Sequence, residues 1–229
     1  MRCLLLLTVA LVVTSTPASA QQTLDGPVRE RLRIEVREML AADKRVRAMA
    51  KYGTFSPCKA DEMLAALDTL TIEGYLAESQ RLEAEAAERL SDAEKAVLLE
   101  RQWATDEANI ARLREIVEVH GWPDSTRIGG QSNPFIILMH TPPDTLDAML
   151  PALRAEVDAG HMPATQYARA VDKQRKINGQ LQLYGTGPEF DPETRSVQPP
   201  KIASIEETNA ARAEIGLPPL EEYRLASGD

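Results

Sequence analysis

The chain has 229 residues, of which 35 are acidic and 26 basic, for a net charge of −9 at neutral pH. This balance, with no cluster of basic residues, argues against a protein that binds the phosphate backbone of a nucleic acid. The length suits one large domain or two small ones.

The first 20 residues contain the three parts of a cleavable secretory signal. Arg2 provides the positive charge, residues 4–13 form the apolar run, and Ala18-Ser19-Ala20 ends the segment. The apolar run is shorter than the roughly 20 residues that a membrane-spanning helix needs. We therefore predict cleavage after Ala20 and a periplasmic or secreted protein with no membrane span after cleavage. A retained membrane anchor is the alternative.

Cys58 is the one cysteine that remains after this cleavage, so an internal disulfide is excluded. An odd cysteine in an oxidising compartment either forms an intermolecular disulfide or stays a thiol. No histidine lies near Cys58 in the sequence to activate it. An inert thiol is the preferred interpretation, and a disulfide-linked dimer is the alternative.

Apolar residues three and four positions apart, bounded by capping residues, predict helices along most of the mature chain. Ser91 with Glu94 and Ser204 with Glu207 have the spacing of capping boxes. The apolar segment 135–139 favours a buried helix, although its length also allows a strand. The predicted helices are 27–51, 61–70, 72–90, Ser91 to Gly121, 135–139, 144–159 with a bend at Pro151, 163–176, and a last one from Ser204 to Gly216.

Residues 178–187, with the sequence NGQLQLYGTG, break the helical pattern. Leu181 and Leu183 alternate with polar residues, and a period of two is typical of a strand. We predict a hairpin of residues 180–186 and 194–199, which must pack on helices because two strands alone are barely stable. Leu181, Leu183 and Val197 should make that contact. The predicted fold is a single, mainly α domain over 21–229 with a small two-stranded β-hairpin near the C-terminus.

Several helices carry polar side chains on the face that should be apolar. Buried carboxylates are costly unless they are paired. We expect these side chains either to form a hydrogen-bonded network that fixes helix packing or to line a cleft. They are Asp43 and Arg47 on the first helix, Asp106 and Asn109 on the long helix, His140 after the apolar segment, and Asp172 on the 163–176 helix.

These residue types allow two chemistries. A histidine beside a carboxylate can transfer protons, and several carboxylates with a histidine can bind a divalent metal. No complete catalytic motif accompanies them. We therefore predict a non-catalytic binding or interaction protein for an unknown protein or small-molecule ligand. The alternative is a hydrolase that uses His140 and Asp172 as an acid–base pair, with or without a metal. The sequence identifies no metal ligand and no cofactor.

The order of the motifs resembles a bacterial family known as a domain of unknown function. The motifs are ADKRVR at 42–47, GWP after the long helix, a histidine after an apolar segment, Asp172-x6-Gly179-x2-Gln182-x-Tyr184-Gly185-Thr186, and GLPPLEEY near the C-terminus. Lys173 departs from the family pattern, which has arginine there. The resemblance covers roughly 28–52 and 103–224, and residues 53–102 are interpreted as a chain-specific helical insertion.

This resemblance supplies site residues and no reaction. It implies that the family motif positions are Asp43, Arg47, Asp106, Asn109, His140, Asp172, Gln182 and Tyr184. We predict a polar cleft in which Gln182 and Tyr184 lie beside His140 and Asp172, with the predicted hairpin as one of its walls.

Overall fold

The computed structural model describes residues 24–130, 132–191 and 196–220. The predicted signal, residues 1–20, and the last residues of the GLPPLEEY segment lie outside these ranges. Within them the chain is mainly helical, with one small antiparallel sheet near the C-terminus, which confirms the predicted fold class. No described helix has the length and apolar character needed to cross a membrane.

Nine helices and two strands make up the described part of the chain. They are α1 (Gly26–Tyr52), α2 (Pro57–Leu67), α3 (Ile72–Arg89), α4 (Asp92–His120), α5 (Ser125–Ile128), α6 (Phe135–His140), α7 (Pro143–Asp158), α8 (Ala164–Ile177), β1 (Glu189–Asp191), β2 (Ser196–Gln198) and α9 (Ile205–Glu214).

Most helix boundaries agree with the capping residues in the sequence. The Ser91 hydroxyl accepts from the N–H of Glu94, whose side chain accepts from Ser91 in return, so the predicted capping box opens α4. α2 begins four residues earlier than predicted, because the Ser56 hydroxyl caps its first turn and Pro57 suits the first helical position. Residues 135–139 form a helix, as preferred from the sequence, and not the strand that their length also allows.

Two apolar clusters share the long helices α1 and α4. The larger cluster combines the N-terminal half of α1 and the C-terminal half of α4 with α6, α7 and α8. The smaller cluster joins the C-terminal end of α1 to α2, to Leu90 after α3 and to Leu98 on α4. Asp43 and Arg47 on α1 lie in sequence between the contributions of that helix to the two clusters, and Asp106 does so on α4. The polar residues on the apolar faces therefore lie where one cluster gives way to the other.

The prediction that residues 180–186 form the first strand of the hairpin is wrong. Only Gln182 pairs with another segment, through a single parallel bridge to Ile202. The N–H groups of Leu183 and Tyr184 instead donate to the carboxylate of Asp172. These backbone donors need no partner strand because a side chain satisfies them.

The observed hairpin pairs β1 with β2, and Phe190 lies opposite Val197. Phe190 and Val197 are 65% and 70% exposed, and Leu181 is 46% exposed. The predicted packing on helices through Leu181 and Val197 is therefore wrong. Leu183 does pack against the larger cluster.

The turn after α4 depends on Gly121, which has φ 76° and ψ −175°. A Cβ atom there would lie 1.6 Å from Nη1 of Arg127. That Arg127 atom binds Glu156 at 3.0 Å, and the same carboxylate accepts the N–H of Trp122 at 2.9 Å. The ring Nδ1 of His161 lies 3.2 Å from Nη2 of Arg127. Gly121 thus leaves room for the ion pair that ties this turn to α7.

Replacing Gly121 with alanine should destabilise the chain more than the same change at Gly129. Gly129 has almost the same backbone, with φ 78° and ψ 171°, but a Cβ there meets nothing within 4 Å. The backbone conformation should lower the free energy of unfolding of both variants by about 1–3 kcal/mol. Gly121→Ala should lose roughly a further 1–3 kcal/mol through steric overlap. Urea denaturation measures both losses, and equal losses would contradict the role given to Arg127.

Candidate functional site

Arg47 joins side chains from three helices. Its Nη2 lies 2.7 Å from Oδ1 of Asp106 on α4 and 3.2 Å from Oδ1 of Asp43 on α1. Its Nε lies 3.1 Å from Nδ1 of His140, the last residue of α6. Asp43, Arg47, Asp106 and His140 are called the quartet below. Four of the eight residues proposed from the sequence therefore meet at one place.

The quartet is buried unevenly. The side chains of Asp43 and Asp106 are 6% and 10% exposed, whereas those of Arg47 and His140 are 28% and 30% exposed. Both carboxylates are hydrogen-bonded to one guanidinium, which offsets part of the cost of burying them. The arginine and the histidine are the members that solvent or a ligand can reach.

The contacts of His140 bear on which of its ring nitrogens carries the proton. Its Nδ1 lies 2.7 Å from Oδ1 of Asp43 and also 3.1 Å from Nε of Arg47. One ring nitrogen of a neutral histidine cannot donate and accept together. A lone pair pointing at a carboxylate 2.7 Å away would be repulsive, so we place the proton on Nδ1. Nε2 then has a lone pair, and no described residue donates a hydrogen bond to it.

Burial raises the pKa of both carboxylates, but the final shifts have opposite directions. For Asp43, the hydrogen bonds and charges of His140 and Arg47 outweigh burial and hold the pKa below its ordinary value. For Asp106, burial outweighs the attraction of Arg47, and the pKa lies above its ordinary value. One buried carboxyl thus stays ionised easily, and its neighbour is ionised at a cost.

Lys173 supports the quartet from α8, and the sequence interpretation did not include it. Its Nζ donates to the backbone carbonyls of Met139 at 2.6 Å and Thr141 at 2.9 Å, the two residues that flank His140. Burial lowers the pKa of Lys173, and the charge of Asp106 opposes that shift. The departure from the family pattern at this position was the available signal. Lys173 fixes the backbone on both sides of His140.

The quartet has the composition of a metal site but holds an arginine at its centre. One oxygen each from Asp43 and Asp106 and one nitrogen of His140 lie within 4.8 Å of one another. Arg47 contacts all three residues, as its bonds above describe. A divalent ion would have to displace that guanidinium, so these ligands suit the arginine better than a metal.

A cleft of about 380 Å³ opens beside the quartet, and Asp43 and Arg47 line it. Its other lining side chains are mostly apolar or aromatic: Leu40, Ala48, Tyr52, Leu64, Tyr75 and Ile136. Lys44 and Lys51 complete the lining and pair with Asp68 and Glu83. The cleft therefore combines an apolar surface with a few charged side chains held in ion pairs, a combination typical of small-molecule sites.

Asp172 lies in a different hydrogen-bond network. Its carboxylate accepts from the backbone of Leu183 at 2.7 Å, Tyr184 at 2.9 Å and Thr186 at 2.8 Å, and from the Thr186 hydroxyl at 2.8 Å. Both oxygens are thus used to hold the loop that follows α8. The structure does not bring Asp172 to His140, and Asp43 is the carboxylate that His140 contacts.

Gln182 and Tyr184 belong to this second network as well. The amide of Gln182 exchanges hydrogen bonds with the backbone of Gly187, at 2.6 and 3.0 Å. The ring of Tyr184 packs edge-on against Tyr167, with centroids 6.3 Å apart, and burial raises the pKa of Tyr184 to about 12. Gln182 and Tyr184 are 2% and 4% exposed and brace this loop, and no described hydrogen bond joins either of them to His140.

Asn109 has a structural position beside the quartet. Its Nδ2 donates to the backbone carbonyl of Met39 at 3.1 Å, and its side chain is buried. This bond ties α4 to α1 one turn from Asp43. Asn109 therefore positions the two helices that carry the carboxylates and is not among the residues that line the cleft.

Asparagine at position 106 should stabilise the chain increasingly as the pH rises from about 3 to 7. The raised pKa of Asp106 means that its contribution to stability is full below the unfolded-state pKa of about 3.9 and is lost as the pH rises through the folded-state value. Asparagine keeps an oxygen for Arg47 and brings no charge to bury. Urea denaturation at several pH values measures the difference from the unmodified chain.

Asp43→Asn is the matched control for that series. The lowered pKa of Asp43 gives a contribution that is present above the unfolded-state pKa and is lost as the pH falls, so this variant should lose stability at neutral pH. Equal losses for both variants at pH 7 would contradict the opposite shifts.

The model of a family of unknown function (DUF6624) matches residues 72–228. The match begins inside the 53–102 segment and includes α4, α6 and α8, which carry Asp106, His140 and Asp172. No curated protein and no solved structure matches the chain. The match covers more than half of the chain, so this protein belongs to the family of unknown function DUF6624.

Proposed function

We propose that the chain is an exported, non-catalytic binding protein whose cleft takes a small amphipathic molecule. The carrying observation is the cleft of about 380 Å³ that combines apolar walls with the partly exposed guanidinium of Arg47. An apolar ligand body would cover Leu40 and Ile136, and an acceptor or anionic group would face Arg47. The signal-like first 20 residues support export.

The chemistry of the lining favours binding over covalent catalysis. Among the described residues, the lining contains no serine, threonine or cysteine, and its two lysines and Asp43 are held in ion pairs. Arg47 is held by two carboxylates, so its direction is fixed before a ligand arrives, and such preorganisation lowers the entropic cost of binding. A rigid donor beside an apolar wall selects a ligand without reacting with it.

Binding can be tested with the anionic aromatic probe 8-anilinonaphthalene-1-sulfonate. We expect saturable binding, with changes in the NMR signals of the Leu40 and Ile136 methyl groups. A Tyr75→Ala/Ile136→Ala double variant should bind the probe about tenfold more weakly, since it removes apolar surface worth a few kcal/mol at most. Both side chains are more than a third exposed, so the variant should fold.

Leu76→Ala serves as the control for probe binding. Leu76 is 54% exposed on α3, next to Tyr75 in sequence, but does not line the cleft. Equal weakening by the control and the double variant would place the probe on general apolar surface and count against the cleft.

Proton-transfer catalysis is a second candidate function. The contact of 2.7 Å between Nδ1 of His140 and Asp43, with Nε2 uncommitted among the described residues, favours it. A carboxylate that orients a histidine is a recurrent arrangement for a general base. This candidate keeps His140 from the predicted acid–base pair and replaces Asp172 with Asp43. The hydrolase would then act on a substrate that reaches the partly exposed ring of His140, which is not among the side chains that line the cleft.

The tautomer of His140 gives a direct test of this second candidate. Long-range ¹⁵N–¹H NMR should find the neutral ring protonated on Nδ1, and the Asp43→Asn variant should change that preference. Hydrolysis of p-nitrophenyl esters should then fall about 100-fold or more in His140→Gln, the size typical of a lost general base.

His161→Gln is the control, because His161 is also partly buried beside a carboxylate, 3.3 Å from Glu156. A proton on Nε2 of His140, or equal activity in both variants, would eliminate proton transfer and leave the binding function.

A further inference from the structure

Two arginines on α1 line a second cavity, of about 250 Å³, beside residues 33–40 of that helix. Arg33 and Arg37 are one helical turn apart, and the loop after α5 forms the facing wall through Gly129 and Gly130. A pair of guanidinium groups in one concave site attracts an anion, since each offers several N–H donors in a fixed plane.

Arg37 has donors to spare. It makes no hydrogen bond and no ion pair with any residue in the described part of the chain, although its charge lowers the pKa of Glu30. Arg33 does have a partner, because its Nη2 lies 2.6 Å from Oε1 of Glu30. Both members of that pair are about half exposed, so the bond is weak and an incoming anion can compete with Glu30 for Arg33.

Gly130 is part of the wall that faces the two arginines. Its φ of 73° lies in the left-handed region, and its N–H has no hydrogen-bond partner among the described residues. A Cβ atom at this position would lie 3.4 Å from Cδ of Arg33. Glycine therefore lets the loop backbone approach the arginine side chain closely, as in backbone sites that bind anions.

We propose that this cavity binds the phosphate group of a small organic phosphomonoester. The two guanidinium groups and the N–H of Gly130 are charge-assisted and backbone donors of the kind that phosphate oxygens accept. A cavity of about 250 Å³ leaves room for the phosphate and part of an organic group. Ile34 and Leu40 line the remainder and would contact that group. The cavity shares Leu40 with the cleft beside Arg47, and its other lining residues are different.

Titration of the purified protein with inorganic phosphate and with phenyl phosphate tests this proposal by NMR and calorimetry. We expect saturable binding of both, with phenyl phosphate about tenfold tighter because its ring covers Ile34 and Leu40. Arg37→Gln should weaken both by about tenfold or more. Arg37 is exposed and has no partner among the described residues, so this variant should fold normally.

Two further variants separate a built site from general attraction to positive charge. Arg31→Gln makes the same charge change on the same helix but outside the cavity, and it should leave both affinities within about twofold. Glu30→Gln removes the competing carboxylate and should strengthen binding. Equal weakening by Arg31→Gln and Arg37→Gln, or an unchanged affinity in Glu30→Gln, would overturn the site.

The two probes also test the ligand class. No saturable binding of either probe would overturn the proposal. Binding of inorganic phosphate with no gain for phenyl phosphate would refute the organic part, since Ile34 and Leu40 would then take no role.

Discussion

Arg47 keeps two carboxylates at the junction of two apolar clusters, and the packing of α1 against α4 depends on this cation. Asp43 and Asp106 are almost fully buried, and without a guanidinium between them their charges would repel each other in a medium of low dielectric constant. Because the pair comes from different helices, satisfying the arginine also fixes their relative position. Asn109 adds a neutral bond between the same two helices. His140 joins the group from α6, with its backbone held by Lys173 on α8. Residues from four helices are thus held in place around Arg47.

The apolar faces of the predicted helices identified much of this site, but not which of its residues contact one another. A period of 3.6 residues reports which face a side chain occupies, and it identifies Asp43 and Asp106, whereas His140 is identified by its position directly after an apolar segment. Whether His140 meets Asp43 or Asp172 depends on contacts between residues about a hundred positions apart, which no local pattern contains. The prediction of a strand at residues 180–186 failed for a related reason. Their alternation is that of a strand, but Asp172 supplies the hydrogen bonds that a neighbouring strand would have supplied. The start of α2 was missed because Ser56 and Pro57 also suit a loop.

Composition alone would not separate the quartet from a second group that contains the same three functional groups. Arg127, Glu156 and His161 also combine a guanidinium, a carboxylate and an imidazole, each partly buried. There the ion pair fills the space beside Gly121 and fastens a turn to α7. The quartet differs in having a cavity next to its arginine. A charged group with accessible space beside it therefore indicates a binding site. A charged group without such space indicates a role in packing.

Leu40 lines both the cleft beside Arg47 and the cavity beside Arg37. A side chain that forms part of two walls cannot change rotamer for one occupant without altering the volume offered to the other. Occupants of the two sites would then be coupled thermodynamically, and such coupling acts with equal strength in both directions. The geometry of α1 would in that case make one protein respond to two ligands through a single leucine, with no movement of the backbone.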